Sequence, residues 1–157
     1  MDDLQLQLLR DLAAAFRGAI EAARIERLPG ALPYFPDGAC RLTSRLFARH
    51  LATRADGPEL GAVTIASGVL PGSEHGARHF WLEIDGTVID LTADPFGEAP
   101  VIVGERTPFH QSLTSPISED AATVLAGLSA DETARLARQL ATIEARLAQP
   151  PHRPLNH

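Results

Sequence analysis

Cys40, His79 and Asp90 follow one another along the chain in an order that suits nucleophilic catalysis by a thiol. Cys40 is the only cysteine among 157 residues. It stands in "FPDGACRL", behind Pro36, Asp37 and Gly38, and opens "CRLTSRLFARHLATR", where Leu42, Leu46, Phe47 and Leu51 predict a helix over about 39–53. A thiol attacks as the thiolate, and a helix N-terminus favours the anion through its free N–H groups and its dipole. The same N–H groups can stabilise an oxyanion. The backbone N–H of Cys40 is the first candidate for that task and the Tyr34 hydroxyl the second. Small Gly38 and Ala39 leave room for a substrate to approach. At about 100° per residue, Cys40, Ser44, Phe47 and Leu51 fall within about 40° of one direction, with Arg41, Arg45 and Arg49 opposite. The thiol therefore points the way the core points, the arginines form a solvated row, and Ser44 is expected to pack or back-bond.

A cysteine nucleophile needs a base, and the base needs an orienting partner. "RHFWLEIDGTVIDLTA" supplies both. Two β-rich runs flank Asp85-Gly86, a strong two-residue hairpin signal. That turn pairs Ile84 with Thr87, Glu83 with Val88, Leu82 with Ile89 and Trp81 with Asp90. Alternate residues share a face, so His79 and Asp90 are diagonal neighbours, about 7–8 Å apart at the backbone and bridgeable by their side chains. Leu82, Ile84 and Ile89 fill the other face.

Each residue alone has a commoner structural use. A lone cysteine is most often a small buried hydrophobe, a strand histidine is usually structural, and an aspartate at a strand end usually caps or turns. The combination and its order carry the catalytic reading. Other constellations are weaker. Glu74, His75 and His79 in "EHGARH" would need a helix to converge on a metal, and Pro71, Gly72 and Gly76 predict a loop. No Gly-rich phosphate loop is present, so neither metal nor cofactor is expected.

The run "GAC…S…L", then "SG", then "HFWLEIDGTVIDLTADPF" resembles the transglutaminase-like branch of the papain-like cysteine enzymes, over about residues 35–104. Bacterial members include lasso-peptide leader peptidases and glutamine deamidases. The resemblance implies Cys40 as nucleophile, His79 as general base and Asp90 as its orienter. The chain departs from the pattern at Pro95, where glutamine is usual after "TAD", and at Phe80, where a smaller residue is usual. Its Cys-to-His interval is also short.

The elements that must position these residues are legible around them. Leu4, Leu8, Leu12, Phe16, Ile20 and Ala23 predict a long amphipathic helix over about 3–27, ended by Pro29 and Gly30. "GAVTIASGVL" and "PVIVGE" read as strands. The last third returns to helix: a short one capped by Ser118 and ending at Gly127, then one opened by the capping box Ser129 and Glu132, with Leu136, Leu140, Ile143 and Leu147 as its stripe. The expectation is one α+β domain over 1–149, papain-like or transglutaminase-like, with helices on one side of a small antiparallel sheet and a disordered tail over 150–157. The formal charge of −6 offers nothing to a phosphate backbone, and no apolar stretch approaches a membrane span. One cysteine and no signal sequence suggest a reducing cytoplasm. The expected function is a cysteine hydrolase or acyl transferase acting on a peptide bond or a glutamine amide. The alternative is a non-catalytic protein-binding module on the same fold.

Overall fold

The computed structural model describes residues 1–149, so the tail expected over 150–157 lies outside the described residues. Five strands, β1 (Val63–Val69), β2 (Arg78–Ile84), β3 (Thr87–Asp90), β4 (Ile102–Gly104) and β5 (Thr114–Asp120), form one sheet in the order β4-β3-β2-β1-β5. Every pairing is antiparallel. The helices are α1 (Asp3–Ile25), α2 (Cys40–Thr53), α3 (Gly57–Leu60), α4 (Pro108–Ser112), α5 (Ala121–Ala126) and α6 (Ala130–Leu147). The class is α+β.

Local chemistry sets most boundaries. α1 starts at a capping box between Asp2 and Gln5, which satisfies two of the free N–H groups of its first turn. It stops at Ile25, slightly short of the expected 27, because Arg27 turns into the left-handed region (φ 54°) and the Leu28 N–H bonds back to the Ala23 carbonyl. Its buried stripe is Leu9, Ala13, Phe16, Ile20 and Ala23; Leu4, expected on the stripe, is 84% exposed. The helix is turned so that the Leu8–Leu12 row lies at the margin of the contact. α6 opens at the expected Ser129–Glu132 capping box and buries Leu136, Leu140 and Ile143. The expectation for Ser118 is corrected: it lies within β5, and the cap of α5 is Asp120, whose carboxylate accepts from the Thr123 N–H at 3.0 Å. β5 escapes sequence reading because all seven of its residues are exposed, with no apolar alternation.

The sheet is covered on both faces. Leu82, Ile84 and Ile89 meet Phe16, Phe47, Leu51, Leu136 and Leu140 from the three long helices. Behind the sheet, Ala66, Trp81, Val88 and Leu113 form a smaller cluster, with Phe109 of α4 packed against it. The expectation of helices on one side therefore holds for the long helices, and α4 lies on the other.

One polar side chain ties the two layers together. Arg17 of α1 is 6% exposed. Its guanidinium grips both oxygens of Asp94 at 2.7 and 2.8 Å and donates to the carbonyls of Leu91 and Pro100 at 2.7 and 2.9 Å. Such bidentate, charge-assisted contacts are the strong class of hydrogen bond. They fix the segment that leaves β3 directly after Asp90. Arg17→Met should therefore cost about 2 kcal/mol, because the buried Leu91 carbonyl and the partly exposed Asp94 carboxylate lose their donor. Arg17→Lys should recover little of it, since an ammonium cannot span the same fork. Urea denaturation of the three proteins checks this.

Candidate active site

Cys40 is the first residue of α2, as its sequence position predicts. The N-cap is Ala39, which has no side chain to occupy the first-turn N–H groups, and the geometry of a helix start leaves those groups free for another acceptor. Gly38 supports the entry with a backbone in the left-handed region (φ 63°), and the space around its Cα is open. Ser44 donates to the Cys40 carbonyl at 2.8 Å, which is back-bonding. Phe47 and Leu51 are buried on the same side of the helix. Cys40 itself is half-buried, with Sγ 3.8 Å from the Arg78 carbonyl. A gap in the sheet admits it there. β1 pairs with β2 along its whole length, whereas β3 reaches only from Ile84 to Leu82. The stretch Arg78–Phe80 has no strand on its other side, and the start of α2 occupies that place.

The hairpin register is the expected one over three pairs, Ile84 opposite Thr87, Glu83 opposite Val88 and Leu82 opposite Ile89, while the fourth expected pair, Trp81 with Asp90, lies beyond the end of the ladder. His79 and Asp90 consequently share a face, and Nε2 of His79 lies 2.7 Å from Oδ2 of Asp90. Both side chains are wholly buried. Trp81 stacks along the imidazole, and Phe96 and Phe109 meet it at an edge. With Nε2 committed to Asp90, Nδ1 remains. It is buried and has no hydrogen-bond partner among the described residues.

A second histidine completes the cluster and was not found in the sequence. His110 of α4 brings its Nε2 to 2.8 Å from the same Oδ2 of Asp90, and it too is wholly buried. Its other nitrogen is held by Thr107, the N-cap of α4, through the Thr107 hydroxyl at 2.9 Å and backbone N–H at 3.4 Å. Since that N–H must donate, Nδ1 of His110 is an acceptor and the ring proton sits on Nε2, aimed at Asp90. The only local sign was "TPFH", a helix start with histidine three residues after its cap. Gly68, which pairs with His79 across the sheet, allows α4 to come close: a Cβ there would lie 2.5 Å from the Leu113 side chain.

Asp90 thus receives three donors, His79 and His110 on Oδ2 and the Thr92 N–H on Oδ1 at 3.0 Å. Burial would raise its pKa, but the bonds from His110 and His79, the charge of His79 and the Thr92 N–H bring it down to about 2. For His79, burial disfavours the cation, and Asp90 and Cys40 together outweigh it, lifting the imidazole to about 9. For Cys40, burial pushes the thiol up. His79, the Phe80 N–H and the Arg41 N–H more than offset this, so the thiol lies below its ordinary value. The pair is therefore biased toward thiolate and imidazolium. The thiol acts on His79 through proximity and charge, since Nδ1 lacks a well-formed hydrogen bond; contacts of this kind tighten in the substrate complex.

Tyr34, the second oxyanion candidate, is 81% exposed. Glu74 and His75 are exposed in the loop before β2 and do not gather with buried His79. Potential ligand atoms of His79, Asp90 and His110 do lie within 4.8 Å of one another. Both Nε2 atoms, however, are the donors that satisfy Asp90, so the trio already closes as a hydrogen-bonded network. Among the described residues no helix is long and apolar enough to cross a membrane. No protein-family model matches the chain, and no curated protein or solved structure matches it either.

Two outcomes follow. A lowered carboxylate contributes stability above its unfolded pKa of about 3.9 and loses it as pH falls through the folded value. With Asp90 at about 2, about 2 kcal/mol should disappear between about pH 4 and pH 2. Asp90→Asn should remove that part of the slope in urea midpoints measured against pH. Second, Gly38→Val should lower stability by about 1–2 kcal/mol through its left-handed backbone alone, which thermal unfolding will register.

Proposed function

We propose that this chain is a cysteine-dependent hydrolase or acyl transferase of the papain-like, transglutaminase-like kind, acting on a peptide bond or a glutamine side-chain amide. The observation that supports it best is the buried His79–Asp90 pair, whose Nδ1 has no hydrogen-bond partner among the described residues, near enough to a half-buried thiol at a helix start for each to act on the other's proton affinity. In this reading the Cys40 thiolate attacks the amide carbonyl carbon. The oxyanion is met by first-turn N–H groups, that of Cys40 first. The imidazolium of His79 gives its proton to the departing nitrogen, leaving an acyl-enzyme and a neutral base. Asp90 holds the ring in one orientation throughout. His79 then takes a proton from water, which attacks the thioester and frees the acid. An amine in place of water would complete a transfer. Hydrolysis is the favoured branch, since water requires no second substrate site. The substrate is a peptide or protein, and the net charge of −6 argues against nucleic acid.

An electrophilic peptide-amide probe tests the reading, with mass spectrometry to locate the adduct. Wild-type protein should be labelled at Cys40, and His79→Ala, compared under conditions where unfolding curves show both proteins folded, should cut the rate by about 10²-fold or more. A panel of peptide and glutamine substrates, scored for amine or ammonia release, then separates protease from deamidase. Equal labelling of folded wild type and His79→Ala, with no turnover of any substrate, would overturn catalysis and favour a binding module.

A further inference from the structure

We infer that His110 is a positioning residue for the proposed Cys40–His79–Asp90 site: it fixes the Asp90 carboxylate that orients the base. The inference rests on that catalytic reading and extends it to a fourth side chain. Three observations carry it. His110 Nε2 and His79 Nε2 converge on one oxygen of Asp90, at 2.8 and 2.7 Å. The tautomer of His110 is set from outside the site, because the Thr107 N–H and hydroxyl occupy its Nδ1. All three side chains are wholly buried, so no water competes for Oδ2.

The consequence is mechanical. Asp90 lies at the last residue of β3, where the ladder to β2 has already ended. Its Oδ1 is held by the Thr92 N–H. Without His110, Oδ2 would be held only by His79, the group it is meant to orient. A carboxylate fixed by its own client cannot impose a direction on it. His110 provides an independent anchor from the opposite side, and its locked tautomer makes it a donor in every step. As His79 gains and loses the Nδ1 proton, Oδ2 stays in place and the imidazole keeps Nδ1 toward the thiol. Among the described residues, the titratable groups acting on this cluster are Cys40 from α2, His79 from β2, Asp90 from β3 and His110 from α4, and Arg106, paired with Glu83, lines the cavity beside His110.

The test follows the rate of Cys40 alkylation by iodoacetamide against pH in wild type, His110→Phe, His110→Gln and Thr107→Val, with thermal unfolding of each. Glutamine can present an N–H near the position of Nε2; phenylalanine fills the space without one. His110→Phe should move the profile upward by about one pH unit, so that alkylation near neutrality falls about tenfold, the size of losing one hydrogen bond to a charged group. His110→Gln should recover most of that rate, and Thr107→Val, which keeps the Thr107 N–H on Nδ1 and removes only the hydroxyl, should stay close to wild type. Should His110→Phe not fold, His110→Leu takes its place: a wild-type profile in folded His110→Leu would overturn the inference, and an upward shift that His110→Gln does not show would support it. Imidazole nitrogen NMR of the wild type adds a direct reading. A His110 ring protonated on Nδ1 rather than Nε2 would overturn it regardless of the variants. An unshifted profile in folded His110→Phe would do the same while leaving the proposed function standing. An ordinary thiol profile in the wild type would instead remove the proposed function itself.

Discussion

A carboxylate taken wholly out of water is the constraint around which this fold is arranged. An unpaired buried charge costs several kcal/mol, and Asp90 is fully buried. It is tolerated because three donors arrive from three directions: His79 from β2, His110 from α4, and the Thr92 N–H from the turn that follows β3. Each donor requires a different part of the chain to be in place. The Asp85-Gly86 turn sets the register that brings His79 alongside. The absent side chain of Gly68 lets the segment around Leu113 press on the sheet and so brings α4 close. Arg17 clamps the chain just beyond Thr92. Loss of any of these leaves Asp90 short of a partner, so the polar network specifies the packing as much as the packing shelters the network.

The thiol is placed by a different logic. α2 needs only its apolar side, Phe47 and Leu51, to lie against the sheet, and Cys40 is carried to the end of that contact because it occupies the same angular position about two and three turns earlier. What turns position into chemistry is the early end of β3. Because β3 pairs with β2 no further than Leu82, the Phe80 N–H and the imidazole of His79 act on the sulfur instead of on another strand. The short strand is what leaves the Phe80 N–H open to the sulfur.

How much of this the sequence disclosed follows from the range of each interaction. The His79–Asp90 pair was legible because a two-residue turn fixes register, and register fixes which side chains meet. Cys40 at a helix start was legible from the breakers before it and the leucines after it. His110 was not: it is 20 residues from Asp90, across a loop, a short strand and another loop, and no local periodicity connects them. The role of Arg17 was not legible because its partners, Leu91, Asp94 and Pro100, lie more than 70 residues away. β5 was missed because an edge strand with every residue exposed carries no apolar alternation. Local chemistry was readable; long-range polar closure was not.

The central claim is that the buried Asp90–His79 pair holds Cys40 as a thiolate where an ordinary cysteine is a thiol. With one cysteine in the chain, the ultraviolet absorbance of the thiolate belongs to Cys40 alone. It should persist, on titration from alkaline to acid pH, to well below the ordinary thiol pKa of about 8.5, and in Asp90→Asn it should vanish at a higher pH. A thiolate that appears in the wild type only near 8.5 or above would contradict the account.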